Sequence, residues 1–490
     1  MLAATVLGSA MAMLDATVVG IAQPTIGREF HADIAGLQWV SISYLLTLSG
    51  LLLLAGALGD RFGRRRVFLI GVAWFAVASA LCAVAPGITF LIVARTLQGI
   101  GGALLTPGSL AIIEAAFAPS DRGRAIGAWS GLTGLAGALG PFVGGYLIAA
   151  LSWRLIFLIN MPVALAVILV SLRHVPESAN PEAAGRIDTF GSGLVVAALV
   201  GVSYGLVEGP DLGWTSAAVL GTLGAGVVAF ALFIAVERRI TNPVVPFSIF
   251  RSRQFTGTNL VTLLIYGVMG AMFFLLPIEL QQVAHYTPTG AGAALLPVTF
   301  LMLFLSARSG QLASRIGPRL QMSVGPIVVA IGLALFARVG PSGSYIADVL
   351  PAVLVFGLGL TITVAPLTAT ALSSAPATRT GLASAVNNTV ARAGSLLAVA
   401  ILPALAGITG SSYLHPGQFE DGFTHAAFIS ALVCACGGVL AFATIRNPRR
   451  AVAGVPPRVA QDFSCPLDAP PLRSRTPASP APEPVTVPAD

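Results

Sequence analysis

The sequence predicts an all-α integral membrane protein, and three observations carry that prediction. Of 490 residues, 56% are hydrophobic and only 10% are charged, a balance that a water-soluble domain of this length does not tolerate on its surface. Apolar runs of about 20 residues, enough to cross roughly 30 Å of hydrocarbon, recur fourteen times along the chain. The basic residues fall almost entirely on one side of those runs.

The runs lie near 2–26, 37–59, 67–85, 88–112, 123–150, 153–172, 188–208, 214–236, 255–278, 288–308, 318–338, 346–370, 380–407 and 423–445. The first contains Asp15 and lacks a basic start and a small-residue cleavage site, so it reads as a span and not as a secretion signal. The second and third flank a short arginine-rich turn, Gly56 to Arg66, which looks like a tight loop at a membrane surface. From about 451 the chain is rich in proline, alanine and serine without apolar periodicity, which predicts a disordered tail.

Arginine placement fixes the predicted orientation. All 27 basic residues are arginine. With both ends cytoplasmic, the inner loops and the tail hold 22 of them, the outer loops hold only Arg28, Arg154 and Arg338, and Arg95 and Arg392 stay inside helices. The positive-inside rule is met this way only for an even number of spans, which favours fourteen over thirteen. The net charge of +7 then follows from loop orientation and calls for no nucleic-acid partner.

An internal repeat organises the fold. Residues 56–66 align with 310–320, pairing Gly56 with Gly310, Arg61 with Arg315, Gly63 with Gly317 and Arg65 with Arg319. The same offset pairs Gly127 with Gly381 and Gly140 with Gly394. This predicts two six-helix bundles, 1–173 and 254–446, an inserted helix pair with its linkers at 174–253, and the tail at 447–490. Repeated halves around a central site are common among secondary transporters.

Catalytic and metal chemistry find little support. Cys82, Cys434 and Cys436 sit inside apolar runs and Cys465 in the tail, without metal-ligand spacing, and Cys434 and Cys436 point to different sides of a helix. The histidines, His31, His174, His285, His415 and His425, lie in loops or at helix ends and read as solvated. Neither a nucleophile-base-acid grouping nor a phosphate loop accompanies them, so the reading is of a protein that is not an enzyme and binds no metal or cofactor.

Several ordered motifs together resemble a known family. The loop residues Gly56, Asp60, Arg61, Gly63, Arg64 and Arg65 are similar to the signature loop between helices 2 and 3 of the major facilitator superfamily. Arg95 with Gln98, Gly99 and Gly101 resembles its arginine motif in helix 4. Gly131, Gly134, Gly137, Gly140, Pro141, Gly144 and Gly145 in helix 5 resemble the motif associated with antiporters. Asp15 and Thr17, in a helix that ends near Pro24, and the 237–251 stretch with Pro243 and Pro246 resemble the fourteen-helix drug:proton antiporters of the EmrB/QacA type. The match departs at Gly20, where the group commonly has asparagine, at Gln23, and at Ser314, which replaces an acid in the second loop copy.

The resemblance implies a major facilitator fold in a bacterial plasma membrane. It implies proton-coupled efflux of amphipathic or cationic organic compounds by alternating access, powered by the proton gradient and without a cofactor, and it leaves room for accessory efflux subunits. Export of a self-made metabolite or antibiotic is the nearest alternative. A metabolite uptake symporter shares the fold but not the helix 5 motif.

Within this frame, Asp15 lies about 21 Å along its helix at 1.5 Å per residue, near mid-membrane. A carboxylate there costs roughly 2.5–3.5 kcal/mol on insertion scales, which makes it a candidate proton carrier, with a structural acid paired to a neighbouring helix as the other reading. Arg95 is a permanent cation inside helix 4, with Gln98 one turn on along the same face; the resemblance implies a role for Arg95 in proton coupling, and a structural role, bonding backbone carbonyls between helices, is the alternative. Tyr44, Gln98, Asn388, Arg392 and Glu279 are candidates for the cavity or its substrate. Glu114, Glu208 and Glu279 fall near helix ends, where an interfacial, solvated carboxylate is expected.

The helix 5 positions Gly127, Gly131, Gly134, Ala138, Pro141 and Gly145 share one face, predicting a smooth stripe packed against another helix. Their repeat mates, Gly381, Ala385, Asn388, Arg392, Ser395 and Val399, form a more polar stripe that predicts either a face on a water-filled cavity or an inter-helix hydrogen-bond cluster. Asp60 and Arg61 are expected to hold the two halves together on the cytoplasmic side in the outward-open state, while membrane anchoring explains Arg64, Arg65 and Arg66 equally well.

Overall fold

The computed structural model describes residues 1–179, 188–240, 247–341, 343–375 and 380–447. Among them, fourteen helices are long and apolar enough to span a bilayer: α1 (Leu2–Phe30), α2 (Ile34–Phe62), α3 (Arg64–Ala83), α4 (Ile88–Ala116), α5 (Asp121–Ala150), α6 (Leu155–His174), α7 (Thr189–Leu212), α8 (Ala217–Glu237), α9 (Arg253–Gln282), α10 (Pro288–Ile316), α11 (Pro318–Phe336), α12 (Tyr345–Ser373), α13 (Gly381–Leu405) and α14 (Pro416–Thr444). The tail from 451, Pro243, Pro246, Arg186 and Arg379 lie outside the described residues.

Many helices outrun the apolar stretches that predict them. α1 has 29 residues and α9 has 30, about 44 Å at 1.5 Å per residue, so their polar ends continue through the headgroup layer. For the same reason α14 begins at Pro416 and not near 423: Gln418, Glu420 and Asp421 are polar but still helical. Side-chain caps set several starts. Asp33 accepts from the Gly36 N–H at 2.7 Å, Asp188 from Gly191 at 2.7 Å and Ser252 from Phe255 at 3.2 Å.

Packing repeats along the chain. α3 lies on α4, α2 on α4, α1 on α5 and α3 on α6; eight helices later α11 lies on α12, α10 on α12, α9 on α13 and α11 on α14. The close approaches use small residues: a Cβ at Gly101 would strike the Phe75 backbone, and one at Gly332 would strike that of Phe356. α7 and α8 pack on each other, and α7 also touches α2 and α13. Outward faces carry exposed Trp74, Val77, Leu165, Phe230 and Leu432, suited to lipid and not to water.

The two loop copies share a local geometry. Gly63 and Gly317 both adopt positive φ, 109° and 89°, which a side chain would strain. Glu177 accepts from the N–H groups of Arg65 and Arg66 at 3.0 and 3.1 Å, and Asn447 accepts from that of Arg319 at 3.0 Å, so each following helix begins on an acceptor.

Candidate functional site

Asp15 meets Arg95 in the middle of the first half. Arg95 Nη1 donates to Asp15 Oδ2 at 2.5 Å and to Gln98 Oε1 at 2.6 Å, while its Nε donates to the Val40 carbonyl at 3.2 Å. Asp15 Oδ1 accepts from Gln98 Nε2 at 2.8 Å and from Asn160 Nδ2 at 3.0 Å, and both amides also reach Ser79 Oγ. Asp15, Arg95 and Asn160 are each 1% exposed, and Gln98 and Ser79 are fully buried. The guanidinium carbon lies 4.3 Å from the Tyr44 ring centre and 5.7 Å from that of Phe157.

Five helices, α1, α2, α3, α4 and α6, thus converge on one buried acid–guanidinium pair. Arg95 bonds a backbone carbonyl, as one sequence reading expects, and it also pairs with the acid. A buried pair of this kind is costly to break one-sidedly, because the charge left behind has no solvent. Ser79 and Asn160 are the members that sequence reasoning missed. Asn160, the one asparagine in the 153–172 run, carried a usable signal, since amides inside spans bond other helices; Ser79 carried none.

The second half contributes at a distance. Arg392 of α13 is close enough to the phenols of Tyr44 and Tyr266 to interact electrostatically with both, and it makes no hydrogen bond among the described residues. Asn388 is exposed and bonds back to the Ser384 carbonyl at 3.0 Å, whereas its neighbour Asn387 is buried and bonds Asn259 and Thr262 at 3.2 and 2.9 Å. Ser395 Oγ donates to the Tyr266 carbonyl at 2.8 Å. Both readings of the polar stripe on α13 therefore have residues that follow them.

Three expectations change. Glu279 is in the last turn of α9 but fully buried, and neither carboxylate oxygen has a hydrogen-bond partner among the described residues; it is not a solvated helix-end acid, and it is not part of the Asp15 network. Glu208 is half-buried and accepts from the Trp39 indole at 2.7 Å, tying α7 to α2, while Glu114 is exposed as expected.

The α5 stripe divides along its length. A Cβ at Gly127, Gly131 or Gly134 would meet nothing within 4 Å. Gly137, Gly140 and Gly144 approach Met13, Thr17 and Val18 of α1, and Gly145 and Pro141 approach Pro288–Gly292 of α10. The packing face combines two neighbours, and its first half faces open space.

The arginine-rich loop does not bridge the halves here. Arg64 pairs with Asp60 at 2.8 Å and reaches the Ala111 carbonyl, Arg65 reaches that of Leu172, and Arg61 is exposed beside Phe62. All these partners belong to the first half. The reason is the state of the seam. Among the described residues, every hydrogen bond between 1–174 and 253–447 lies toward one end: Ile34 to Gly410, Tyr413 to Ala32, Gln38 to Val399 and Ala400, Gln281 to Ile21, Thr289 to Gly145 and Thr299 to Ala138. At the end that holds residues 56–66 and 310–320, none forms.

A sequence model described as the Major Facilitator Superfamily matches residues 5–399, the stretch that contains the whole Asp15 network. The chain belongs to the Major Facilitator Superfamily. As a member of this superfamily with fourteen apolar helices, it is a multi-pass membrane protein. It is 37% identical to the tetracenomycin C resistance and export protein of Streptomyces glaucescens, over 82% of this chain and 75% of that one. It is 35% identical to the multidrug resistance protein Stp of Mycobacterium tuberculosis, over 85% of this chain and 77% of that one. A crystal structure of a POT family transporter in complex with 5-aminolevulinic acid aligns with a TM-score of 0.65 at 14% identity, covering 89% of this chain and 94% of that one, a likeness of fold.

Proposed function

We propose that this superfamily member is a proton-driven exporter of small amphipathic organic compounds that works by alternating access. The observation that carries the reading is the buried Asp15–Arg95 pair, a titratable acid and a permanent cation at mid-membrane in a bundle whose two halves touch at one end only. The printed names of the relatives, resistance and export proteins, support efflux.

Arginine asymmetry assigns the open end, with the 60–66 loop, to the cytoplasm and both termini with it. The conformation is then inward-facing. Facing outward, Asp15 takes a proton from the higher external concentration, Arg95 loses its counter-charge, and the α1–α4 contact shifts. That difference in proton binding between the two facing states is what couples proton entry to cargo exit. The Asp60 and Arg61 pair closes the cytoplasmic end only in the opposite state.

The test uses vesicles that hold the protein and an imposed proton gradient, with the fluorescent organic cation ethidium and a neutral aromatic polyketide as cargo. Asp15→Asn keeps the size and most hydrogen bonds but cannot ionise, so uphill accumulation is expected to stop while cargo exchange continues. Undiminished uphill transport by Asp15→Asn overturns the assignment. Accumulation that runs with the proton flow, and not against it, overturns export in favour of an uptake symporter. Export of a compound made by its own host is a second reading, favoured by the tetracenomycin relative; it uses the same cycle and differs only in cargo.

A further inference from the structure

Outside the central bundle, a cavity of about 470 Å³ lies between the inserted pair and the wall formed by α2 and α13. Its volume is in the range that holds a drug-sized molecule. On α13 it is lined by Val386, Thr389, Val390, Ala393 and Leu397, spaced three to four residues apart. Asn388 and Arg392 lie on the other side of that helix, so α13 turns one face to the central space and the other to this cavity.

The walls are apolar, with Phe230 and Phe233 stacked at 6.4 Å on α8 and Phe250 closing one end. Val227 and Phe230, 62% and 54% exposed, flank the side that faces lipid. Three hydroxyls, Ser49 on α2, Ser192 on α7 and Thr389 on α13, and the Glu237 carboxylate at the end of α8 interrupt the apolar lining. Ser192 Oγ donates to the Asp188 carbonyl at 2.9 Å, whereas Ser49 Oγ, in a residue only 2% exposed, and Thr389 Oγ1 have no hydrogen-bond partner among the described residues. A buried hydroxyl without a partner carries a free-energy penalty that a ligand acceptor removes.

The geometry points to a second binding site here, for a neutral, lipophilic organic molecule with an acceptor oxygen, such as an aromatic ketone, entering from the bilayer. Its body packs among the α8 phenylalanines and its oxygen accepts from Ser49 or Thr389. Because α2 and α13 belong to the two repeated halves, while α7 and α8 cover the outer side, an occupant touches both halves and the inserted pair at once. It therefore stabilises the arrangement in which α2 and α13 are in contact. The site is independent of the transport reading, since it needs neither Asp15 nor cargo movement.

Benzophenone, itself a lipophilic aromatic ketone and photoreactive, serves as the probe with the full-length protein in nanodiscs. Irradiation followed by peptide mapping is expected to place saturable label on α2, α7, α8 and α13 around the cavity, and benzophenone is expected to raise Tm. Ala393→Trp, which fills the cavity, should cut that label at least about tenfold and abolish the Tm shift. Val195→Trp, from the opposite wall, gives the same readout if Ala393→Trp does not fold. Ser49→Ala should weaken the saturable label several-fold at unchanged folding. Label spread over all lipid-facing helices, or undiminished in both tryptophan variants, overturns the site and leaves simple partitioning into lipid. A Tm shift that persists in the variants does the same.

Discussion

Arg95 reaches across eighty positions of sequence to place a guanidinium N–H 2.5 Å from the carboxylate of Asp15, with both side chains about 1% exposed. The pair is also held by Gln98, Asn160 and Val40, so it acts as the junction of five helices and not as an isolated contact. Removing one partner alone strands a buried charge, at a cost of about 3–5 kcal/mol. Both single variants are therefore expected to lower Tm in detergent, Asp15→Asn more than Arg95→Gln, because the guanidinium stranded by Asp15→Asn cannot lose its charge, whereas a carboxyl group left by Arg95→Gln can neutralise itself by taking up a proton. The double variant should recover part of the loss. Equal, additive losses in the two single variants would show that the groups do not interact.

The α5 glycines separate stability from movement. Gly144→Leu places bulk against Val18 and is expected to push α1 from α5, lowering both folded yield and transport. Gly134 faces open space in this conformation, so Gly134→Leu should insert and melt like the parent while transport falls, because the open end has to close during the cycle. Thermal melting and vesicle transport on the two variants check this. Full transport by Gly134→Leu would mean that this end never closes on α5.

The Trp39–Glu208 bond ties the inserted pair to α2. Trp39→Phe leaves a half-buried carboxylate without its indole donor, and the expected cost is about 1–3 kcal/mol. It should appear as a lower Tm and faster proteolysis near Gly213 and Trp214 in the α7–α8 connection. An unchanged melting curve would place Glu208 in contact with water.

Orientation is tested by single cysteines in a variant without the native four, labelled from outside intact cells by a membrane-impermeant maleimide. Cysteines at Ser178 and Asn447 should stay unlabelled until the membrane is opened, and one at Ser411 should react at once. The reverse pattern would place the arginine-rich loops outside.

Much of the fold was legible in the sequence because a bilayer leaves few choices. Every backbone polar group in hydrocarbon has to be paired within its own helix, so run length and arginine placement give the count and the expected orientation of the spans. The 254-residue offset announced the repeat, and Gly63 and Gly317 carry it down to the same positive φ. Asp15, Arg95 and Gln98 stood out because charge and amides are expensive at mid-membrane; the histidines lie exposed, but His425 sits inside α14 and not in a loop or at a helix end.

Tertiary structure decided what no helix records about its neighbours. Asn160 joins the acid because α6 packs on α1, Ser79 joins it through Gln98 and Asn160, and Glu279 is fully buried although it sits in a helix's last turn. Gly134 and Gly145 share one face of α5, yet one faces space and the other meets Pro288 and Thr289 of α10, in line with a seam whose hydrogen bonds lie toward one end only. Helical periodicity tells which residues share a face. What that face meets depends on the packing of distant segments and on which of its facing states the protein occupies.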